Sequence, residues 1–179
     1  LKPAIDLLSG IPSVVYGFFG LMVIVPAVHR LTGVSGKGVL SASVLLGIMI
    51  LPTIISVAES ALRAVPKNYY EGSLALGATH ERSVFKVTLP AAASGVLAGV
   101  VLGIGRAIGE TMAVIMVAGN QAVIPRSVLG GVRTMTSNIV LEMGYAADLH
   151  REALIATAVV LLVFILIINL SFSCLKKGK

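Results

Sequence analysis

The sequence predicts an all-α membrane protein with about four transmembrane helices. Hydrophobic residues make up 56% of its 179 residues and charged residues only 12%, whereas soluble domains carry about 25% charged residues. The mean hydropathy is +0.98. Apolar runs recur along the chain, and they are long enough for the roughly 17–25 residues that a membrane-spanning helix needs. These observations place the chain in the membrane class.

The four predicted spans are residues 11–28, 39–57, 91–118 and 152–175. A short glycine-rich turn joins the first two spans. A longer segment, residues 119–151, joins the last two; it is too polar to cross a bilayer and too apolar in patches to be disordered. We therefore expect these two segments to be connecting loops.

A polar segment, residues 71–90, lies between the second and third spans. Its sequence predicts two short helices, one from about Lys67 to Leu76 and one beginning after Thr79. Gly77 separates them, because glycine adopts a positive φ at little cost. Thr79 is a favourable N-cap for the second helix, and Pro90 is well placed to begin the next span. The segment is predicted to form a compact bent unit.

Composition also argues against several function classes. The net charge of +6 could indicate nucleic acid, but the basic residues lie beside apolar runs and form no face with interleaved aromatics. The one cysteine, Cys174, excludes an internal disulfide and a multi-cysteine metal cluster. We place His29, His80 and His150 in separate exposed loops without metal-ligand spacing. No serine, histidine and acid constellation lies at membrane depth, which argues against a membrane-embedded enzyme.

Lysine and arginine bias predicts the orientation, because cytoplasmic flanks of spans carry an excess of these residues. Four spans place both termini and segment 66–90 on one side, and the two other connecting segments on the opposite side. The first side carries eight basic residues and the second five, so we expect segment 66–90 and both termini in the cytoplasm. The eight are Lys2, Arg63, Lys67, Arg82, Lys86, Lys176, Lys177 and Lys179, and the five are Arg30, Lys37, Arg126, Arg133 and Arg151.

The third predicted span contains two charged residues, Arg106 and Glu110. Charges there cost about 2.5–3.5 kcal/mol on insertion scales, so they normally face protein or water. At about 100° per residue, both lie on the same narrow face as Gly95, Gly99 and Gly103. This glycine spacing lets a neighbouring helix approach closely. We therefore expect both charges to point into a helix interface or a central cavity.

Two interpretations of these charges remain open. At a spacing of i, i+4, Arg106 and Glu110 can form an intramembrane ion pair. Alternatively, Arg106 presents its forked donors to an anion on a translocation path, and Glu110 holds the guanidinium or relays the conformational state. Thr111 is the third candidate for the path.

Segment 71–90 resembles the EAA loop of ATP-binding-cassette importer permeases. That motif reads E-A-A, three residues, G, nine residues and I-x-L-P, and the spacing here agrees throughout. Three substitutions depart from it: Gly72 and Ser73 replace alanines, and Val87 replaces isoleucine. The resemblance implies that the motif positions couple the chain to an ATPase; they are Glu71, Gly72, Ser73, Gly77, Val87, Leu89 and Pro90.

Three further stretches resemble the phosphate-specific branch of these permeases, nearer to the PstC type than to the PstA type. They are IPSVVYGFFG (11–20), RAIGETMAV (106–114) and TMTSNIVLEMGYA (134–146). The resemblance implies one type I importer permease domain over residues 1–179, with residues 66–90 as its coupling loop. Since such permeases have about six spans, we expect this chain to lack the family's amino-terminal helices.

The resemblance also implies the chain's setting. It implies a multi-pass subunit of a prokaryotic plasma (inner) membrane, in contact with lipid, that imports inorganic phosphate and is not itself an enzyme. The implied partners are a second, PstA-type permease subunit, two cytoplasmic ATPase subunits and an extracytoplasmic phosphate-binding protein. No cofactor is expected on this chain, because ATP is used by the partner subunits, and no nucleic-acid partner is expected.

Alternatives remain at the level of cargo and energy source. Molybdate, tungstate and sulfate are competing cargoes, and an ion-coupled secondary carrier would also use intramembrane charges, although it would not explain the EAA-like spacing. Residues 119–151, which we call the outer segment, would form a gate, a contact for the binding protein or only polar loop packing. The candidate residues are Thr134, Thr136, Ser137, Asn138 and Glu142.

Overall fold

A computed structural model describes the backbone of residues 2–177 and the side chains of residue 5 and residues 7–171. The side chains of Lys2, Lys176, Lys177 and Lys179, which enter the predicted orientation, lie outside this description. The described backbone is helical apart from turns and short extended segments. Its α-helices are α1 (Lys2–Ser9), α2 (Ser13–Phe19), α3 (Val25–Thr32), α4 (Val39–Arg63), α5 (Lys67–Ala75), α6 (His80–Ser83), α7 (Leu89–Gly109), α8 (Met112–Val117), α9 (Met135–Glu142) and α10 (Asp148–Lys177).

Four helical stretches of the described chain are long and apolar enough to cross a membrane: Ser13–Thr32, Val39–Arg63, His80–Gly109 and Asp148–Ser171. The predicted all-α fold with four spans is therefore confirmed. Most of the last span is exposed in the isolated chain, and only 6% of its most apolar window is buried. Its side chains thus form little of the core.

Two of the spans contain a π-helical turn, at Gly20–Ile24 and at Val84–Thr88. Each turn ends two residues before a proline. Pro26 and Pro90 directly follow Val25 and Leu89, whose amides close the wider hydrogen bonds to Gly20 and Val84. A proline has no N–H for the usual i→i−4 bond, and a π-turn accommodates the missing donor without ending the helix. Helices α2–α3 and α6–α7 are therefore continuous.

Helices α4 and α7 pack against each other in antiparallel directions through the predicted glycine face of Gly95, Gly99 and Gly103. A Cβ atom on Gly95 would lie 2.4 Å from the Ala61 Cβ, and one on Gly103 would lie 2.7 Å from the Ile54 Cγ1. Side chains larger than hydrogen would push the two backbones apart. The prediction that these glycines allow close helix approach is confirmed.

The buried core lies where α2, α3 and the first half of α4 surround α8. Dispersion and burial of this apolar cluster hold the first two spans and α8 together. Its buried members are Tyr16, Ile24, Val25, Ala42, Leu45, Met49, Ala113, Val114, Val117 and Ala118.

The prediction of one continuous span over residues 91–118 is wrong. The helix begins at His80, ends at Gly109, and resumes as α8 only at Met112. Glu110 between them has an extended backbone, with φ −70° and ψ 129°. The break persists because the Glu110 carboxylate accepts a hydrogen bond from the backbone amide of Ala113, which replaces a missing partner at the start of α8.

Two further expectations need correction. Residues 119–151 are not only a loop, since they contain α9 and the start of α10. His29, His80 and His150 are exposed as predicted but lie in α3, at the first position of α6 and in α10. A helix cap accounts for α9: the Thr134 hydroxyl accepts a hydrogen bond from the Ser137 amide and begins this helix.

Candidate functional site

The first candidate site is the bent unit of residues 66–90. Helix α5 carries Glu71, Gly72 and Ser73 of the EAA-like motif, and none of its residues is buried. Glu71 and Gly72 are exposed, whereas Ser73 is half-buried and donates from its hydroxyl to the Tyr70 carbonyl oxygen at 2.9 Å. The predicted helix over 67–76 is therefore confirmed to within one residue, and the motif's acid faces outward.

The bend itself follows the sequence closely. Gly77 has a φ of +83°, a conformation that costs non-glycine residues roughly 1–2 kcal/mol. Its amide donates to the Leu74 carbonyl at 2.9 Å, which closes the end of α5. On the other side, the Thr79 hydroxyl accepts from the Arg82 amide at 3.3 Å and caps α6. Both the hinge and the cap were predicted and are present.

The distal part of the motif lies in the helix that leaves the bend. Val87 belongs to the π-helical turn, and Leu89 and Pro90 are the first two residues of α7. The prediction that Pro90 begins a separate span is wrong, because α6, the π-turn and α7 run on without interruption. The hinge is therefore joined directly to the helix that carries Arg106.

Sequence reasoning missed one contact within this unit. The Tyr70 hydroxyl and the His80 Nδ1 share a hydrogen bond of 2.7 Å. The two rings also meet edge to face, with centroids 5.8 Å apart and an interplanar angle of 81°. No helical or strand periodicity relates residues ten positions apart across a glycine hinge, so only the folded chain reveals the pair.

The second candidate site lies at the far end of α7, which has 21 residues and is therefore about 30 Å long. Arg106 is exposed, and its Nη1 donates to the Thr53 hydroxyl of α4 at 3.4 Å. Glu110 lies beyond the end of the helix and accepts from the Ala113 amide at 3.1 Å. Thr111 donates from its hydroxyl to the Gly109 carbonyl oxygen at 3.3 Å.

The predicted i, i+4 ion pair between Arg106 and Glu110 is not among the ion pairs of the described residues. Its geometric basis is absent, because Glu110 has left the helix whose periodicity would bring it beside Arg106. The two groups therefore point to different partners, α4 and α8. The three path candidates lie within six residues of chain but form no single cluster.

A cavity of about 230 Å³ adjoins Glu110, between α4 and the break that separates α7 from α8. Most of its walls are aliphatic, and its polar groups come from Ser43, Glu110, Thr134 and Thr136. Thr136 is buried and donates to the Glu110 backbone carbonyl at 3.1 Å. This hydrogen bond attaches the outer segment directly to the helix break at Glu110.

The outer-segment candidates all take part in internal hydrogen bonds. Arg133 donates from its Nη1 to Glu142 at 2.7 Å and to Asn138 at 3.4 Å, and from its Nε to the Asn120 carbonyl oxygen at 3.0 Å. Thr134 caps α9 through Ser137, which is fully buried. The arrangement provides the polar packing that was one of the alternatives.

The same segment covers the start of α4, which has no side-chain cap. Three successive amides there donate to carbonyl oxygens of residues 117–130 and so satisfy helix-terminal donors. The bonds run from Gly38 to Val117 at 3.0 Å, from Val39 to Gly130 at 3.1 Å and from Leu40 to Val128 at 2.7 Å.

Metal binding has no support in the part of the chain that the structure describes. Those residues contain no group of three or more histidine, cysteine, aspartate or glutamate side chains that could hold a metal ion.

Comparison with known proteins decides the family. The family described as binding-protein-dependent transport system inner membrane component matches residues 1–178. The chain belongs to this family. Its members are membrane components of transport systems, which agrees with the four spans and with the EAA-like spacing of the bent unit.

Two relatives show what the chain is similar to. The chain is 44% identical over 176 residues to the probable ABC transporter permease protein YqgH of Bacillus subtilis (strain 168). The match covers 94% of this chain and 57% of the relative. The chain is 36% identical over 180 residues to the phosphate transport system permease protein PstC of Xylella fastidiosa (strain 9a5c), over 89% of this chain and 56% of that protein. The chain thus spans a little more than half the length of these relatives.

A solved structure has the same fold. This chain superposes on a chain from the inward-facing MetNI methionine ABC transporter, in its CY5 native crystal form, with a TM-score of 0.74. The match covers 98% of this chain and 72% of the other, at 21% identity. The predicted type I importer permease-like helix bundle is therefore confirmed as the fold.

Proposed function

We propose that this chain is the transmembrane permease subunit of an ATP-driven importer that moves inorganic phosphate into the cytoplasm. Membership in the transport family supports the permease role. The similarity to proteins named PstC, 36% identical over 89% of the chain, supports phosphate as the cargo. The chain supplies the substrate path and a helix that transmits movement, and ATP hydrolysis takes place in partner subunits.

The observation that carries the coupling proposal is the continuity of one helix from the bend to Arg106. An exposed α5 is joined through Gly77 to a 30-residue helix, His80–Gly109. A rigid-body movement of a partner docked on α5 would therefore displace the far end of α7. In this mechanism Glu71, Gly72, Ser73, Gly77, Val87, Leu89 and Pro90 form the coupling segment.

The substrate path is proposed at the far end of the same helix. Arg106 presents planar, forked donors that suit a tetrahedral oxyanion, and its one side-chain bond in the described chain, to the Thr53 hydroxyl, is long at 3.4 Å. A weak neutral partner leaves the guanidinium available for an anion. Glu110 and Thr111 follow in the chain at the helix break, without contacting Arg106 in the described structure, and complete the proposed path.

The proposed assembly follows from these roles. It contains a second permease subunit of the PstA type, two cytoplasmic ATPase subunits and an extracytoplasmic phosphate-binding protein, embedded in the lipid of a prokaryotic plasma membrane. Residues 66–90 and the C-terminus face the cytoplasm. The chain itself binds no cofactor and catalyses no reaction.

Cargo is tested by competition in proteoliposomes that contain the assembled transporter. Uptake of labelled phosphate should depend on ATP and on the binding protein, and unlabelled phosphate should compete at least tenfold better than molybdate, tungstate or sulfate. If one of those anions competes better than phosphate, the cargo assignment is wrong. Uptake driven by a proton or sodium gradient without ATP would instead favour a secondary carrier.

Coupling is tested by reversing the charge of Glu71. Glu71→Lys should reduce binding of the ATPase subunits and uptake, while membrane insertion stays intact, because Glu71 is exposed on α5. Glu152→Lys makes the same charge change at an exposed position of α10 and should leave ATPase binding unaltered. Equal binding by the two variants would contradict the coupling role.

A further inference from the structure

The bend of residues 66–90 has few interactions that determine its angle. None of the residues of α5 is buried, so core packing does not set the position of this helix. Gly77 supplies a positive φ, and a Cβ atom on it would meet nothing within 4 Å. One backbone hydrogen bond crosses the hinge, from the Ala78 amide to the Ser73 carbonyl at 3.1 Å. Side-chain contacts between α5 and α6 must supply the rest of what sets the angle.

One side-chain hydrogen bond crosses the hinge in the described part of the chain. It joins the half-buried Tyr70 of α5 to His80, the first residue of α6, at 2.7 Å. Tyr70 also lines a cavity of about 330 Å³ with Val84 and Thr88 of the π-helical turn. Its ring thus lies between α5 and the helix that continues to Arg106.

We propose that Tyr70 and His80 are positioning residues that hold the angle of the bend, so that a displacement of α5 is passed on to α6 and α7. The proposal rests on the proposed coupling function. Tyr70 is half-buried and bonds to His80 across the hinge, whereas Glu71 of the docking face is exposed and takes no part in this bond. Removing the Tyr70–His80 bond should therefore loosen the transmission of movement without removing the surface on which a partner docks.

The central test is Tyr70→Phe in the assembled transporter in proteoliposomes. The variant keeps the ring and loses only the hydroxyl, and the bond it removes corresponds to roughly a two- to tenfold change in an equilibrium. We expect phosphate uptake per ATP hydrolysed to fall by this factor, with ATPase binding unchanged. Tyr145→Phe removes a hydroxyl from an exposed ring outside the bend and should change neither quantity.

Conservative replacement of His80 distinguishes a positioning role of this residue from a general role in the stability of the fold. His80→Gln keeps an acceptor and a donor for the Tyr70 hydroxyl and should retain more coupling than His80→Ala. The double variant Tyr70→Phe with His80→Ala should be no worse than the poorer single variant, because both remove the same bond. Unchanged uptake per ATP in Tyr70→Phe, additive losses in the double variant, or loss of ATPase binding would each overturn the proposal.

A readout independent of cargo distinguishes this proposal from the proposed function. Spin labels at Asn68 of α5 and Ala93 of α7, both exposed, report the angle of the bend in the assembled complex after Cys174→Ser. Tyr70→Phe should broaden the distance distribution, and Tyr145→Phe should not. If the assembled wild type moves no phosphate, the proposed function fails, and the distance distribution still supports or overturns the positioning role.

Discussion

The carboxylate of Glu110 accepts a hydrogen bond from the amide of Ala113 at 3.1 Å, so an acid that an unbroken helix would place beside Arg106 caps a new helix instead. The backbone carbonyl of Glu110 accepts a second bond, from the buried Thr136. Through these two contacts the helix break, α8 and the outer segment form one connected unit.

Replacing Glu110 separates its capping role from its charge. Glu110→Ala should lower the stability of the solubilised protein by about 1 kcal/mol, the usual cost of a lost N-terminal cap. Glu110→Gln keeps a carbonyl acceptor for the Ala113 amide and should lose much less. Thermal unfolding in detergent measures both, and equal losses would contradict the capping role. Uptake by Glu110→Gln then reports the need for the negative charge.

Arg106→Ala should abolish most phosphate uptake while leaving ATPase binding intact, because Arg106 lies about 40 Å along the continuous helix from His80. Arg106→Lys should recover only part of the uptake, since lysine keeps the charge but lacks the planar fork. Arg30→Ala removes an exposed arginine from the end of α3 and serves as the control. Full uptake by Arg106→Ala would remove Arg106 from the path.

Gly95→Ala should destabilise the contact between α4 and α7 by about 1–3 kcal/mol, the usual cost of overpacking. The new Cβ would lie 2.4 Å from the Ala61 Cβ, and such a short side chain cannot move aside without its backbone. Gly105→Ala lies in the same helix with nothing within 4 Å of the added atom and should be neutral or slightly stabilising. Thermal unfolding of both variants in detergent measures the difference, and similar midpoints would contradict it.

Gly77→Ala should strain the bend by roughly 1–2 kcal/mol, because alanine disfavours the φ of +83° observed there. Binding of the ATPase subunits and uptake should both decrease. Gly72→Ala lies inside α5 without a positive φ, restores an alanine of the EAA motif, and should bind the ATPase at least as well as wild type. If the two variants bind the ATPase equally, Gly77 is not needed for the bend.

Much of the bent unit was predictable because its determinants are local. Gly77 and Thr79 act on residues within four positions along the chain, so the hinge and the cap could be predicted from residue types alone. The spans were predictable for a similar reason, since length and hydropathy are summed along the sequence. The Tyr70–His80 bond was not, because no pattern marks a contact across a turn.

The sequence by itself determined the helical class, the four spans, the hinge at Gly77, and a glycine face for close helix packing, whereas only the structure shows that this face packs on α4. Tertiary structure alone decided how the 91–118 run is divided. Helical periodicity assumes an unbroken backbone, and hydrogen bonds from Ala113 and Thr136 at Glu110 favour an extended residue there. The partners of Arg106 and Glu110 therefore differ from those that their spacing of four residues predicts.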